Sequence, residues 1–313
     1  MNSSVAKGAI DSRYKFIKDY KEQDKFRLSF TSLAEKTFDI QFEHWYSMGF
    51  WNDNYICYSY LWNGKVISNV SLNKMRLIIT GNKYDAIQIG TVMTDEGHRR
   101  KGLAQSLLEQ VIEDHKDKCD LFFLSADERA VDLYKKCGFK PYCESRYSIN
   151  LEGISDGSLA NGQGENQIGL ESVTMTPELL RELKSRSVPL SNKLSATEDY
   201  HLLMFYYLFM LGDSFYLWRD DSGVEYYLSL YIDGEEVSWM DTYSSNPLTY
   251  TSMNGILFSL KDMGIRRVHY NFTPDIIVNG MEINKDLDGG WMILDYKGIG
   301  FPEGAWFPRI SRS

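Results

Sequence analysis

Cysteines are few in this sequence and no hydrophobic run is long, and both shortages narrow the class of protein. The 313 residues include four cysteines, with no CxxC pair and no regular spacing. Such usage favours reduced thiols in a cytoplasmic protein over a disulfide framework or a metal site. The most apolar stretch, residues 201–211, is much shorter than the roughly 20 residues that span a bilayer. We therefore expect a cytoplasmic protein without a metal or a membrane partner, in which 201–211 is a buried helix.

Positive charge is also in the minority. Lys and Arg number 34 against 43 Asp and Glu, which gives a net charge of −9. A nucleic-acid partner is not expected, because such proteins carry a basic face that meets the phosphates. One basic cluster, Arg99-Arg100-Lys101, interrupts this acidic chain. It indicates local capture of one anionic ligand, while the surrounding negative charge suits a cationic substrate.

Small polar residues and glycines gather at residues 151–166, with the sequence LEGISDGSLANGQGEN. This composition is typical of a linker. The chain length also predicts about two domains, at about 150 residues each. We therefore predict an N-terminal domain over 1–150, a linker over 151–166 and a C-terminal α/β lobe over 167–313.

The N-terminal region alternates between strand and helix patterns. Asn63-Gly64 stands between two β-rich runs, which is a strong hairpin signal. Apolar residues recur at helical spacing over 103–115. The predicted strands cover 14–20, 55–62, 66–72, 86–94, 121–125 and 142–151, and the predicted helices cover 25–37, 41–48, 103–115 and 129–136. This order predicts a mixed sheet with helices packed on it, in the α/β class.

Residues 89–108 combine a strand, a basic loop and the start of a helix. The first turn of a helix has backbone N–H groups without internal partners, and Gly102 and Ala104 let a ligand approach them. The segment therefore predicts a site for a phosphate or pyrophosphate, with a plain surface helix as the alternative. The spacing is neither that of a nucleoside-triphosphate loop nor that of a dinucleotide fingerprint.

Two blocks of sequence resemble motifs of the GNAT acetyltransferases. Residues 92–107 are similar to motif A, which reads [QR]xxGx[GA] after a strand, and residues 124–142 are similar to motif B, NxxAxxLYxKxGF. Asp127 stands where motif B has Asn. The residues that match motif B are Ala130, Leu133, Tyr134, Lys136, Gly138 and Phe139. The resemblance implies a GNAT fold for the N-terminal domain, with a mixed central sheet flanked by helices.

The resemblance further implies that acetyl-CoA is the co-substrate. Its pantetheine would pair with the backbone of the strand before the loop, and its pyrophosphate would bind the amides at the helix start. Asp127 can accept a hydrogen bond from pantetheine but, when ionised, cannot donate one. The implied cofactor-binding residues are Val92, Met93, Thr94, Arg99, Arg100, Lys101, Gly102, Leu103, Ala104, Gln105, Asp127 and Ala130.

Acetyl transfer to an amine needs an acid and a base. The resemblance implies that Tyr134 is the general acid for the departing thiolate, and a tyrosine that only packs the core is the alternative. A primary amine with a pKa near 10.4 is only about 0.04% neutral at pH 7, so a base would help. The sequence does not identify that base. Asp95, Glu96 and the terminal carboxylate of Ser313 are the weak candidates, and His98 is interpreted as a loop residue.

The acceptor site is predicted from aromatic and acidic residues. Trp45 and Trp51 crowd the segment before the hairpin and form either a wall for a cationic substrate or part of the core. Asp241 alternates with Trp239 and Tyr243 on one strand face, where it would meet a cationic acceptor.

The second lobe repeats the strand–helix–strand order of the first within residues 237–272. The loop before its helix reads SNPLT and lacks the RxxGxA pattern. The lobe is therefore either a degenerate GNAT-like repeat without a CoA site or an unrelated α+β domain.

These features predict an acetyltransferase that acts on a primary amine of a small molecule or peptide, as a monomer or homodimer. The alternatives are a non-catalytic acyl-CoA sensor and a transferase that uses a larger donor such as aminoacyl-tRNA. The acidic net charge weighs against the last of these.

Overall fold

The computed structural model describes residues 10–152, 154, 169–212, 214–286 and 290–308. The N-terminal half contains β1 (Lys15–Lys18), α1 (Asp24–Phe38), α2 (Phe42–Ser47), β2 (Tyr55–Trp62), β3 (Lys65–Ile79), β4 (Asn82–Thr94), α3 (Leu103–His115), β5 (Leu121–Ser125), α4 (Val131–Lys136), β6 (Lys140–Pro141) and β7 (Glu144–Asn150). The C-terminal half contains β8 (Glu171–Ser172), α5 (Pro177–Arg186), β9 (Leu194–Thr197), α6 (Tyr200–Tyr206), β10 (Phe215–Arg219), β11 (Glu225–Asp233), β12 (Glu236–Tyr243), α7 (Tyr250–Asp262), β13 (Arg267–Tyr270), β14 (Met281–Asp286) and β15 (Trp291–Asp295).

The predicted elements of the N-terminal half are confirmed, with two differences in length. Asn63 and Gly64 have φ values of 49° and 76°, as a tight hairpin turn requires. β3 and β4 extend beyond their predicted ends because a second tight turn, with φ values of 50° at Thr80 and 77° at Gly81, joins them. The 201–211 stretch differs in part. After α6, a π-helical turn over Tyr207–Leu211 leaves Phe209 and Met210 substantially exposed.

Two mixed sheets form the molecule, and their strands correspond one to one. The first has the order β1-β2-β3-β4-β5-β15-β6, with β9 added on β3, and the second has the order β8-β10-β11-β12-β13-β7-β14. In each sheet one neighbouring pair is parallel, β4–β5 in the first and β12–β13 in the second, and each is joined through a helix. The matching order and directions favour the degenerate repeat over an unrelated domain.

Each sheet takes one strand from the other half of the chain. β15 lies between β5 and β6, with Ile293 opposite Phe123. β7 lies between β13 and β14, with Ile149 opposite Val268. The strand predicted over 142–151 therefore closes the second sheet rather than the first. Most of the predicted linker lies outside the described residues, and the boundary at 150 stays a prediction.

The large hydrophobic cores each combine residues from both halves of the chain. One joins the aromatic residues of α1 and α2 to α6 and to Met240 and Tyr243. Within it the Trp45 indole donates a hydrogen bond of 2.9 Å to the His201 carbonyl. Another stacks Phe123 of β5 on Phe307 near the C-terminus, with ring centroids 5.0 Å apart. The described helices include none long and apolar enough to cross a membrane.

Candidate active site

A bulge in β4 lies at the start of the predicted cofactor strand. Asn69 pairs with Met93 and Ser71 with Gly90, so β4 holds one extra residue between these pairs. Thr91 there has a φ of 47°, and its carbonyl accepts a 2.9 Å hydrogen bond from the Asn69 amide. β4 pairs with β5 only as far as Gln88. Past the bulge, β4 therefore no longer pairs with β5, and its backbone groups on that side can hydrogen-bond to a ligand between the two strands.

The predicted pantetheine residues Val92, Met93 and Thr94 lie just past this bulge. Val92 and Thr94 are half-buried, whereas Met93 is buried in the core shared by the two halves. Asp95, which follows, caps a short 3₁₀ turn by accepting from the Gly97 amide and pairs with Lys36 at 3.0 Å. The Lys36 hydrogen bond lowers the pKa of Asp95. A carboxylate with these partners shapes the loop and is a poor base.

The three basic residues of the loop have different partners. Arg99 donates through Nε to the Thr94 carbonyl at 3.1 Å. Lys101 donates to the Tyr14 hydroxyl and to the Gly97 carbonyl, each at 3.1 Å. Arg100 has no partner within the described parts of the chain, and its φ is 61°. Arg100 is therefore the cation that remains free for a ligand, while its two neighbours hold the loop in shape.

The start of α3 has an open set of backbone donors. Its N-cap, Gly102, has a φ of 75° and forms no side-chain cap. An added Cβ there would meet only Ile10, at 3.9 Å, so the glycine is needed for the backbone conformation rather than for space. Leu103 faces the core while Ala104 and Gln105 are half-buried. These residues fit a pyrophosphate, because uncapped amides and the helix dipole favour an anion.

Tyr134 of α4 is buried in the same core as Ile89 of β4 and Leu107 of α3. Its ring packs edge-on against Phe139, with centroids 6.1 Å apart. Burial raises its pKa to about 12, so the phenol stays protonated at neutral pH. None of the residues that the structure describes hydrogen-bonds its hydroxyl. A buried, protonated and uncommitted hydroxyl is suited to donate a proton.

Asp127 caps the short turn that leads to α4. Its carboxylate accepts from the Arg129 amide at 2.9 Å and pairs with the Arg129 guanidinium through both oxygens. The Arg129 hydrogen bonds lower the pKa of Asp127 to about 2. Ala130 ends this turn and packs beside the core of Tyr134. The carboxylate is thus ionised and largely engaged, and its contact with pantetheine stays a prediction.

The C-terminal strand β15 packs against the segment that carries Asp127 and Tyr134. The sequence did not predict this contact. The Ala126 amide donates to the Gly290 carbonyl at 2.7 Å. A Cβ at Gly290 would lie 2.7 Å from the Ala126 carbonyl oxygen, so only glycine fits. Gly138, which follows α4 with a φ of 94°, lies against Leu294. The apolar run Trp291–Leu294 indicates a buried strand, but no local sequence pattern shows that this strand joins the first sheet.

The two tryptophans predicted for the acceptor site lie together, with ring centroids 5.8 Å apart, but inside a core. Trp45 and Trp51 are 1% and 4% exposed, and the Trp51 indole donates to the Tyr55 carbonyl. This burial favours the core-packing alternative for both. Asp241 lines a separate cavity of about 530 Å³ in the second lobe. Ser313 lies outside the described residues, so its part in catalysis stays a prediction.

The second sheet has the same bulge but a closed helix start. Ser229 pairs with Asp241 and Leu230 with Trp239, which leaves Met240 as the extra residue of β12. The Val188 amide donates to the Ser244 carbonyl just past β12, so a segment of the chain itself occupies this backbone.

At the start of α7, Thr249 and Ser252 form a reciprocal capping box. The box satisfies amides that are open at the start of α3. With its strand backbone and its helix start both engaged by the chain, the second lobe fits no CoA site.

The comparisons with known proteins agree with this geometry. Residues 13–142 match the family model described as an acetyltransferase (GNAT) domain. No curated protein is significantly similar to this chain in sequence.

Solved structures share the fold across most of the chain. A probable N-acyltransferase from Enterococcus faecalis has a TM-score of 0.63 at 13% identity, covering 90% of this chain and 72% of that one. Eis1 from Mycobacterium abscessus has a TM-score of 0.58 at 12% identity, with 91% and 74% covered. A GCN5-related N-acetyltransferase from Anabaena variabilis has a TM-score of 0.58 at 15% identity, with 89% and 72% covered.

The fold and the site therefore define a transferase of the acyl-CoA-dependent class. Residues 13–142 form a GNAT acetyltransferase domain, and the second, C-terminal lobe carries its own sheet.

Proposed function

We propose that this protein transfers an acetyl group from acetyl-CoA to a primary amine of a small molecule or peptide. The arrangement that carries the proposal is the bulged β4 beside an uncapped helix start, with the protonated Tyr134 in the same core. Backbone beyond the bulge and amides at an open helix start suit an extended ligand that ends in phosphates. We propose a cytoplasmic location and a monomer or homodimer, as the sequence predicts.

The bulge and the helix start would position the thioester. The backbone of Val92–Thr94 would pair with pantetheine, while Arg100 and the amides of 102–105 would hold the pyrophosphate. The backbone N–H near Met93 would stabilise the carbonyl oxygen as it becomes negative. Binding both ends of the donor in this way aligns its carbonyl for attack.

Tyr134 would complete the reaction. The neutral amine nitrogen forms a bond to the carbonyl carbon, the bond between that carbon and sulfur breaks, and Tyr134 donates its proton to the departing thiolate. The nitrogen, positively charged after the attack, then releases one proton, which restores the Tyr134 phenol through water. The attacking ammonium must first lose a proton to a base or to water. Because the pKa of Tyr134 is about 12, the phenol keeps its proton over the pH range in which the amine becomes neutral.

Tyr134→Phe tests this assignment. We expect at least about a hundredfold lower kcat with acetyl-CoA binding retained, since general acid catalysis contributes about 10²- to 10⁴-fold. Release of the CoA thiol across an amine panel measures turnover, and calorimetry measures binding. Tyr231→Phe is the matched control, because Tyr231 is 56% exposed on β11 of the other sheet. Unchanged turnover in Tyr134→Phe would contradict the acid role.

An acyl-CoA sensor is the second candidate. It is favoured by the engagement of Asp95 with Lys36 and of Asp127 with Arg129, which makes both of these carboxylates poor bases. Binding of acetyl-CoA without thiol release across the whole amine panel would support the sensor and contradict the transferase.

A further inference from the structure

A cavity lies between α5 and β12 of the second lobe and the β9 edge of the first sheet, and it includes none of the residues proposed to bind acetyl-CoA. Its volume is about 530 Å³, a size typical of small-molecule sites. Val188, Pro189, Leu190, Ala196 and Phe272 give it apolar walls. The cavity therefore has room for an organic ligand with an apolar body.

Buried charges lie at one side of this cavity. Asp199 and Asp241 are 1% and 6% exposed, and Lys184 pairs with Asp199 at 3.0 Å. Within the described chain, only Asp199 forms an ion pair with this ammonium. Asp241 accepts a hydrogen bond from the Thr242 amide, and burial, together with the nearby Asp199 carboxylate, raises its pKa.

A buried hydroxyl lines the same cavity beside these charges. Tyr243 is 1% exposed, and its hydroxyl lies close to the Asp241 carboxylate without forming a well-shaped hydrogen bond to it. A buried polar group without a well-shaped hydrogen bond is costly, and a ligand or water in the cavity would relieve that cost. The exposed rim carries Lys83, Arg181 and Glu198, whose charges are screened by solvent.

The cavity is separate from the β4 bulge. Its wall on the first sheet is β9, in which Thr197 pairs with Arg76 of β3. Met93, just past the bulge, pairs with Asn69, which lies seven residues before Arg76 on β3. At about 3.3 Å per residue the two places lie about 23 Å apart along β3.

We propose that this cavity is a second ligand site, which binds a primary ammonium group on an apolar body. The ammonium lies against Asp241 and accepts no acetyl group there, and the Tyr243 hydroxyl contacts the same head group. The buried carboxylates recognise the single positive charge of the ligand. A neutral or anionic molecule of the same shape lacks that charge and would leave Asp241 unpaired. The site uses none of the residues assigned to acetyl-CoA, so it stands whether or not the transferase proposal does.

Calorimetric titration of the full chain with 2-phenylethylamine, in the absence of acetyl-CoA, tests this proposal. We expect saturable binding of the amine, and no detectable binding of its neutral and anionic counterparts, 2-phenylethanol and 3-phenylpropionate. Equal binding of the alcohol, or no binding of the amine, would overturn the proposal. This comparison uses the unaltered protein, so it does not depend on the folding of a variant.

Asp241→Asn tests the residue and Glu198→Gln is the matched control at the exposed rim. We expect about thirtyfold or greater loss of amine affinity in Asp241→Asn and less than about a twofold change in Glu198→Gln. Saturating CoA should leave the amine affinity within about twofold, since the cavity shares no residue with the proposed CoA site. Equal affinities in all three proteins would overturn the role of Asp241. Acetylation of 2-phenylethylamine that Asp241→Asn abolishes would overturn the separation of the two sites.

Discussion

The two sheets share one topology, yet their strand–loop–helix units differ at the point where an anion would bind. β4 and β12 each carry a one-residue bulge, and each is followed by a loop and a helix. In the first unit Gly102 leaves the helix start open, and in the second Thr249 and Ser252 close it. The two units therefore have the same shape because they share one strand order, whereas a few residues at the helix start determine whether its backbone amides are free to bind an anion.

The largest expected effect concerns the dependence of the sheets on each other. We expect a fragment of residues 1–150 to lack a cooperative thermal transition and acetyl-CoA binding, because β15 is absent from between β5 and β6. Circular dichroism and calorimetry measure the two properties. A fragment that melts cooperatively and binds acetyl-CoA would show that the first sheet is complete without the exchanged strand.

His201 connects the halves, since Nε2 lies 3.2 Å from the Asn73 amide oxygen and the His201 carbonyl accepts from Trp45. Burial lowers its pKa from 6.5 to about 4. Its contribution to stability is therefore complete above pH 6.5 and is lost as the pH falls through 4. The shift corresponds to about 3 kcal/mol of unfolding free energy.

Urea denaturation between pH 7 and pH 4 measures this contribution. We expect the unfolding free energy of His201→Asn to fall less between pH 7 and pH 4 than that of the unaltered protein. His44→Asn, at an exposed position of α2, should show the same fall as the unaltered protein. His115 also has a pKa lowered to about 4, so part of the decline remains in His201→Asn. A variant whose decline equals that of the unaltered protein would contradict the assignment to His201.

Gly102→Glu sharpens the comparison of the two helix starts. A carboxylate at the open start of α3 would compete with the pyrophosphate, so we expect at least about a hundredfold weaker acetyl-CoA binding, about 2.7 kcal/mol. Asn246→Glu, in the equivalent loop before α7, should leave the affinity unchanged. Thermal shift with saturating acetyl-CoA and calorimetry measure both variants. Equal losses in the two would contradict the assignment of the site to the first sheet.

The smallest expected effect concerns the closed helix start. Thr249→Ala removes a side-chain cap, so we expect about 1 kcal/mol lower unfolding free energy in urea. Acetyl-CoA affinity should stay the same, because Val188 still occupies the backbone beyond β12. Tighter acetyl-CoA binding in this variant would mean that the capping box alone keeps the second lobe from binding it.

The elements around the proposed acetyl-CoA site were largely predictable because their sequence signals are short and contiguous. Gly102 follows the basic cluster within one loop, and Ala130 and Tyr134 lie four residues apart, so their spacing is visible in the sequence. The amphipathic pattern of α3 likewise depends only on neighbours three and four residues away. These features need no knowledge of distant contacts.

The acceptor side was less predictable because its residues come from distant elements. The sequence places Trp45 before the hairpin, but only packing against α6 shows that it is buried. Asp241 sits on a readable strand, whereas its cavity arises from α5, β9 and β12 meeting in space. Burial depends on the whole fold, so the periodicity of the sequence could not show whether an aromatic residue lines a substrate pocket or packs in the core.

By itself, the sequence determined the element order, the hairpin at Asn63, the open helix start at Gly102 and the family motifs, since each rests on local conformational preference. Only the tertiary structure decided that β7 and β15 exchange sheets and that Val188 binds the backbone just past β12. The physical reason is that strand pairing uses backbone hydrogen bonds, which every residue but proline can make. The choice of partner is therefore set by distant packing and leaves no local signature.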